Sequence, residues 1–301
     1  MELRLLRYFL AVAKEQSITK ATDILHVTQP TLSRQLTELE EELGVQLLIR
    51  GKRQVTLTEK GILFRQRAEE ILRLTEKTEQ EIKTPDLFAG GDIYIGCAES
   101  DNMRFLAQAA KDLQQNYQNL RYHLSSGNAT DVQLRLEKGL LDFGVLMDPF
   151  DKHAFNYLQL PGTDVWGLLL RKDSLLTTHS HITRDELKNL PLLVSEQELT
   201  AGNHSPLSGW LHQSFDELNL VATYNLIFNA ALMVREGMGY ALTLDKLVST
   251  GPESSLCFKP LSPKLEAHVY FVWHKYQIFS PAAKLFLEQM RKKYSPWYKD
   301  N

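Results

Sequence analysis

The chain has 301 residues, 43% of them hydrophobic and 24% charged, with a formal net charge of −3 from 34 basic and 37 acidic side chains. At roughly 150 residues per domain this length suggests about two domains, and the composition is that of an ordinary globular protein. Two cysteines, Cys97 and Cys257, exclude a disulfide scaffold and favour a reducing compartment. No apolar run nears the ~18 residues of a membrane span. The N-terminal run 8–13, between Arg7 and Lys14, is too short for a signal peptide, so a cytoplasmic protein with no membrane contact is expected.

The overall balance argues against a surface that coats nucleic acid throughout, but the charge is uneven. Residues 43–67 hold Arg50, Lys52, Arg53, Lys60, Arg65 and Arg67 against Glu59 alone, a net of +5. Residues 86–301 carry 20 basic and 24 acidic residues, a net of −4. A charge run by itself is a solvated face, so the elements around this one decide its meaning.

In chain order, Leu3, Leu6, Phe9, Leu10 and Ala13 fall at helical spacing. Ser17 is placed to cap a short second helix carrying Ile18, Ala21, Ile24 and Leu25, interrupted at His26 and Val27. Thr28 is placed to cap a third helix with Pro30 in its first turn, where a missing N–H costs little. Leu32, Leu36, Leu39 and Leu43 line one side of that helix, and Gly44 ends it. Residues 45–57 read as a small hairpin with a basic tip, Arg50 to Gln54. Thr58 then starts a long helix to about Ile82, in which Phe64, Ala68, Ile71, Thr75, Thr78 and Ile82 follow a heptad seam. Because the helix is otherwise mostly polar, the seam is expected to pair two chains; an ordinary amphipathic helix lying on its own domain is the alternative. Thr84, Pro85, Asp86, Gly90 and Gly91 mark a linker.

From residue 92 the pattern becomes α/β. Strands are expected at 92–96, 120–124, 141–145, 165–170, 192–194, 222–226, 240–244 and 268–273, and helices at 105–117, 130–138, 209–218, 227–236 and 281–294. The alternation indicates βαβ units and a mostly parallel sheet.

Two short helices joined by a tight turn, followed by a basic hairpin, make a winged helix-turn-helix. A helix fits the major groove of B-DNA, and residues near its N-terminus reach base edges. With Leu32, Leu36 and Leu39 facing the core, Gln29, Pro30, Thr31, Ser33 and Arg34 point away from it. Gln can pair with adenine, Arg with guanine, and Pro or a Thr methyl can touch a thymine methyl. Arg50, Lys52 and Arg53 on the wing would meet phosphates or enter the minor groove.

Residues 1–61 resemble the LysR-type transcriptional regulators. The resemblance is carried by Ser17-Ile-Thr-Lys-Ala21, by Leu25-His-Val-Thr-Gln-Pro-Thr-Leu-Ser-Arg-Gln35, by Leu43-Gly44-Val45 and by Leu57-Thr-Glu-Lys-Gly61. The later region fits more loosely through Gly127-Asn128, Leu136-Glu-Lys-Gly-Leu-Leu-Asp-Phe-Gly144 and Val234-Arg-Glu-Gly-Met-Gly-Tyr240. The resemblance implies an α+β multidomain protein. A winged helix-turn-helix at 1–58, its helix-turn-helix core at 18–37, is followed by a linker and dimerisation helix at 59–88. A two-lobed α/β effector domain like a periplasmic binding protein then occupies 89–301, lobe one about 92–162 with 265–301 and lobe two about 163–264. It further implies a double-stranded operator with dyad symmetry, a small-molecule effector, dimers assembling into homotetramers, and RNA polymerase as partner of an activator.

In open α/β folds, ligands bind beyond the carboxyl ends of strands, near helix N-termini. By that rule and by the resemblance, Ser100, Asn128, Ser195 and Asn229 are the candidate effector contacts, although each can equally cap its own helix. The nearby carboxylates Glu99, Asp101 and Glu196 oppose an anionic ligand, so a neutral, zwitterionic or cationic effector is expected over a dianion. The runner-up is an α/β enzyme carrying a DNA-binding appendage. It finds no Gly-x-Ser-x-Gly elbow and no phosphate-binding loop. Gly237-Met-Gly239 follows a helix instead of opening one, His179 and His181 lack a third nearby ligand, and Cys97 lies in a strand, where a buried inert thiol is the default. No catalytic residue, metal or cofactor is therefore expected.

Overall fold

The computed structural model describes residues 1–51, 54–83, 90–202, 205–212 and 215–294. The chain forms two compact units, Met1–Thr84 and Pro85–Asn301.

In the first unit, helix α1 (Leu3–Glu15) buries Leu5, Leu6, Phe9 and Val12. Helix α2 (Ile18–Leu25) starts at Ser17, whose hydroxyl accepts from the Lys20 amide at 3.3 Å, and stops at His26, left-handed with φ 54°. Helix α3 (Gln29–Leu43) carries Pro30 in its first turn, and Gly44 ends it at φ 66°. Thr28 occupies the cap position but makes no cap bond; its hydroxyl pairs instead with that of Thr31 at 2.8 Å. Leu32, Leu36 and Leu39 are fully buried against Phe9, Val12 and Ala21. Each such burial contributes roughly 1.5–3 kcal/mol, which fixes which face of α3 remains outside. Strands β1 (Leu48–Arg50) and β2 (Val55–Leu57) pair antiparallel into the hairpin; its tip residues Lys52 and Arg53 lie outside the described residues.

Helix α4 (Glu59–Lys83) begins at Thr58, whose hydroxyl accepts from the Gly61 amide at 2.9 Å. Its heptad seam is divided. Ala68 and Leu72 are buried with Leu6 of α1, and Phe64 meets the Phe9 ring edge-on at 4.9 Å. The N-terminal half of the stripe is thus covered by its own unit, contrary to the expectation that the whole seam needs a partner, because α1 supplies a second apolar face through Leu6 and Leu10. Ile71, Leu74 and Ile82 stay exposed, Ile82 at 78%.

The second unit contains, in order, β3 (Gly91–Cys97), α5 (Met103–Gln114), β4 (Leu120–Ser126), α6 (Ala129–Glu137), β5 (Phe143–Met147), β6 (Phe155–Arg171), β7 (Ile182–Thr183), α7 (Arg184–Leu187), β8 (Leu192–Ser195), α8 (Glu196–Ala201), α9 (Pro206–Leu211), β9 (Leu220–Tyr224), α10 (Ile227–Arg235), β10 (Tyr240–Leu244), β11 (Leu256–Ser262), β12 (Glu266–His274) and α11 (Pro281–Tyr294). The main path of the sheet runs β4-β3-β5-β12-β6-β10-β8-β9, with β11 beside β6 and β7 beside β11. It is not mostly parallel: β4-β3-β5 and β10-β8-β9 are parallel runs, joined through antiparallel β12 and β6. One half packs α5 and α11 around Phe143, Phe271 and Phe286, and the other packs α9 around Trp166, Leu168 and Leu242. Strand β6 belongs to both, pairing with β12 over its first part and with β10 and β11 over its last.

Three departures from the sequence reading have local causes. The helix expected at 209–218 starts at Pro206 because Ser205 caps it, accepting from the Leu207 and Ser208 amides, and it stops at His212, left-handed at φ 55°. The first half of β6 contains Pro161-Gly162, which reads as a break. Strand β11, with Lys259 and Pro260 in its middle, lacks an alternating pattern.

Candidate functional site

The first unit presents one face of α3. Gln29, Pro30, Thr31 and Arg34 are exposed and Ser33 is half-buried, with Pro30 and Arg34 opposite the leucines. The Arg34 side chain is 78% exposed and its guanidinium lies 2.9 Å from Glu38 one turn on. Arg50, at the end of β1, is the brace between wing and helix. Its guanidinium donates to the Ser33 and Thr37 hydroxyls, both at 2.8 Å, with Glu40 at 3.8 Å. Glu40 in turn accepts from the Leu47 and Leu48 amides at 2.7 and 2.8 Å, so one carboxylate holds the base of the hairpin onto α3. The geometry therefore gives Arg50 a positioning role that spacing did not show. The surface that results is a preformed helix N-terminal face with a basic strand end beside it, the shape that enters a major groove.

In the second unit, a cavity open to solvent lies where strand ends from both halves converge. Ala98 after β3, Gly127 and Asn128 after β4, Met147 of β5, Ser195 of β8, Tyr224 of β9, and Thr243 and Leu244 of β10 all line it, together with Trp166 of β6. This is the carboxyl-end position at which open α/β sheets hold ligands. Of the four expected contacts, Asn128 and Ser195 line the cavity while also capping their helices. Asn128 accepts from the Asp131 amide at 2.8 Å and Ser195 from the Gln197 amide at 3.3 Å.

Ser100 and Asn229 are not among the residues that line this cavity. The Ser100 hydroxyl donates to Asp164 at 2.5 Å and accepts from the Asn102 amide at 3.0 Å, and the Asn102 side chain donates to the same carboxylate at 2.7 Å. Ser100 thus serves a buried crossing of α5 with β6 and does not line the cavity. Asn229 is exposed in the first turn of α10. Trp166, Tyr224, Thr243, Gln197 and Glu198 line the cavity and were missed; the strand-end rule, applied to β9 and β10, points to Tyr224 and Thr243.

Two hydrogen bonds cross the cleft. Glu99 accepts from the Ile227 amide at 2.7 Å, and Gln197 accepts from the Ala129 amide at 3.2 Å. The N-termini of α10 and α6 are therefore each engaged by a side chain from the opposite half, whereas α8 is capped by its own Ser195. Burial raises the Glu99 carboxyl above the usual range, partly opposed by the Ile227 amide. Burial likewise raises Glu198, whose only hydrogen bond among the described residues comes from the Ser205 hydroxyl. Outside the cavity, burial pushes the Cys97 thiol up to about 12, so it stays protonated and unreactive at neutral pH. His179 pairs with Glu186 on the surface.

Compared with known proteins, residues 3–62 match the family described as bacterial regulatory helix-turn-helix protein, lysR family, and residues 89–295 match the LysR substrate binding domain. The uncharacterized HTH-type transcriptional regulator YvbU of Bacillus subtilis (strain 168) is 29% identical over 97% of this chain and 98% of its own. The Hca operon transcriptional activator HcaR of Escherichia coli (strain K12) is 28% identical over 95% of this chain and 96% of its own. Among solved structures, full-length CbnR complexed with its target DNA superimposes with a TM-score of 0.71 at 19% identity, over 97% of this chain and 99% of that one.

Proposed function

The chain belongs to the lysR family of bacterial regulatory helix-turn-helix proteins, and from that premise we propose how it acts: α3 reads an operator while the cavity of the second unit takes the effector that sets DNA affinity. The observation that carries the reading is the exposed row Gln29, Pro30, Thr31 and Arg34 with the Arg50 brace behind it. Side chains held on a rigid helix lose little freedom on binding, which is what base readout needs. Arg34 is the base reader, and Arg50, Lys52 and Arg53 contact phosphates.

Paired chains, the exposed Ile71 to Ile82 side of α4 between them, would place two copies of α3 on an operator with dyad symmetry. Two such dimers form the homotetramer, and an activating assembly would engage RNA polymerase. The effector contacts Asn128 and Ser195 from opposite halves, so its binding energy differs between arrangements of the two halves, the condition for any ligand to shift an equilibrium. The protein works in the cytoplasm, where DNA and metabolites meet. The cavity carboxylates Glu99 and Glu198 are bonded to an amide and a serine hydroxyl, an arrangement that supports binding over catalysis.

Selection of duplexes from a randomised library by the full-length chain, followed by titration of the enriched sequence, tests the reading. A motif with two-fold symmetry, bound at least about a thousandfold tighter than scrambled duplex, is expected. Absence of any enriched motif would overturn it.

A further inference from the structure

The cavity wall is unusual in its charge. Among the described residues it holds no Lys, Arg or His, but it holds two carboxylates, Glu99 and Glu198. Glu198 is 8% exposed, and one of its oxygens takes the Ser205 hydroxyl while the other has no donor among the described residues. A carboxylate withdrawn from water needs hydrogen-bond donors or a counter-charge, and among the described residues Glu198 has the Ser205 hydroxyl alone.

The first-turn amides of α10 and α6 that face the cavity already have side-chain acceptors. Helix α10 has Leu226 at its cap position, which offers no side-chain acceptor, and the Glu99 carboxylate fills that place on the Ile227 amide. At α6, Asn128 and Gln197 take the Asp131 and Ala129 amides. A ligand carboxylate would have to displace Glu99 and then lie close to Glu198. The remainder of the wall is apolar or aromatic: Met147, Trp166, Leu244 and Leu247, with Tyr224. Indole and phenol rings also attract cations.

We propose that this cavity takes a cationic ligand, a primary ammonium on a small apolar body, with Glu198 as its counter-charge and with Glu99 as the internal carboxylate that closes the α10 N-terminus to anions. The proposal rests on the reading of this cavity as the effector site and names the chemistry of that effector. The three ammonium hydrogens would meet the Glu198 carboxylate and the side-chain oxygens of Asn128 and Ser195, each of which accepts one backbone amide and keeps a second lone pair.

Calorimetry on the full-length chain without DNA tests it, using matched probes: phenethylamine, 2-phenylethanol and 3-phenylpropionate, and hexylamine, hexanol and heptanoate. In each set the ammonium is expected to bind at least about tenfold tighter than the alcohol, and the carboxylate most weakly. In Glu198→Gln the ammonium preference should fall by about tenfold or more with the alcohol unchanged. In Glu99→Ala the freed Ile227 amide should raise carboxylate affinity at least about threefold, and this variant decides the matter if Glu198→Gln fails to fold. The proposal is overturned if a carboxylate binds most tightly, if no ammonium binds below about 10 mM, or if both variants leave the order of affinities unchanged. Because no DNA is present, loss of operator binding would sink the regulatory reading without touching this result, and the converse holds as well.

Discussion

The Glu99 carboxylate accepts the Ile227 amide at 2.7 Å across 128 positions of sequence and across the mouth of a cavity. Gln197 and Ala129 make the reverse connection at 3.2 Å. The two bonds are caps exchanged between halves, so each ties the start of one half's helix to the other half. Removing a side-chain cap costs about 0.5–2 kcal/mol. Glu99→Ala and Gln197→Ala are each expected to lower stability by that amount and to speed hydrogen exchange in the first turn of α10 and α6 respectively. Unchanged exchange at Ile227 in Glu99→Ala would show that the carboxylate is not its cap.

On DNA, Arg34→Ala should cost about 1–3 kcal/mol at the cognate site and little on scrambled duplex. Arg50→Ala should weaken binding to all sequences and lower the salt slope by about one. It should also destabilise the free protein by about 0.5–1.5 kcal/mol per hydroxyl bond lost, because Ser33 and Thr37 lose their partner. Arg50→Lys keeps the charge but not the two-pronged brace, so it should restore the salt slope without restoring stability. Titrations at several salt concentrations, with chemical denaturation alongside, separate the two roles.

What could be read in the sequence divides by distance. Helix α3 was legible because Leu32, Leu36 and Leu39 repeat within two turns, and Ser17, Asn128 and Ser195 were legible as caps because their partners lie two or three residues on. Ser100 misled because its partner Asp164 is 64 positions away, and a serine between strand and helix looks the same whether it faces a cleft or a buried carboxylate. Glu99 was noticed as a charge, yet its role depends on an amide contributed by the other half. The divided seam of α4 was hidden for the same reason, since Leu6 covers Ala68 only once the chain has folded back.

Asp164 carries a pH signature. Burial, with Asp245 and Asp101 nearby, raises its carboxyl to about 6, against the opposing Ser100 hydroxyl and Lys246. Between about pH 4, the unfolded value, and about pH 6, the folded protein holds a proton that the unfolded chain has released. Stability therefore falls as pH rises through that window, by at most about 3 kcal/mol, and the loss is complete above it. Asp164→Asn should remove this slope. Denaturation midpoints of both proteins between pH 4 and pH 7 check it, and parallel curves would exclude Asp164 as the source.

Along α4, two substitutions should part company. Ile71→Asp places a charge on an exposed position and should weaken chain association while the unit stays folded. Ala68→Asp places one against Leu6 and should unfold the first unit by several kcal/mol. Sedimentation at micromolar concentration and far-ultraviolet dichroism distinguish these outcomes. Equal association in wild type and Ile71→Asp would move the dimer contact elsewhere.

Strand β6 runs 17 residues through both halves of the sheet, and its pairing with β12 jumps from Gln159 opposite Tyr270 to Thr163 opposite His268. Pro161 brings no N–H to that gap, and Gly162 brings no side chain, which leaves room for Asn102: a Cβ there would sit 2.1 Å from the Asn102 Oδ1. The stretch of β6 skipped in that register, residues 160–162, ends directly before the paired segment that carries the Asp164 carboxylate and its Ser100 and Asn102 partners.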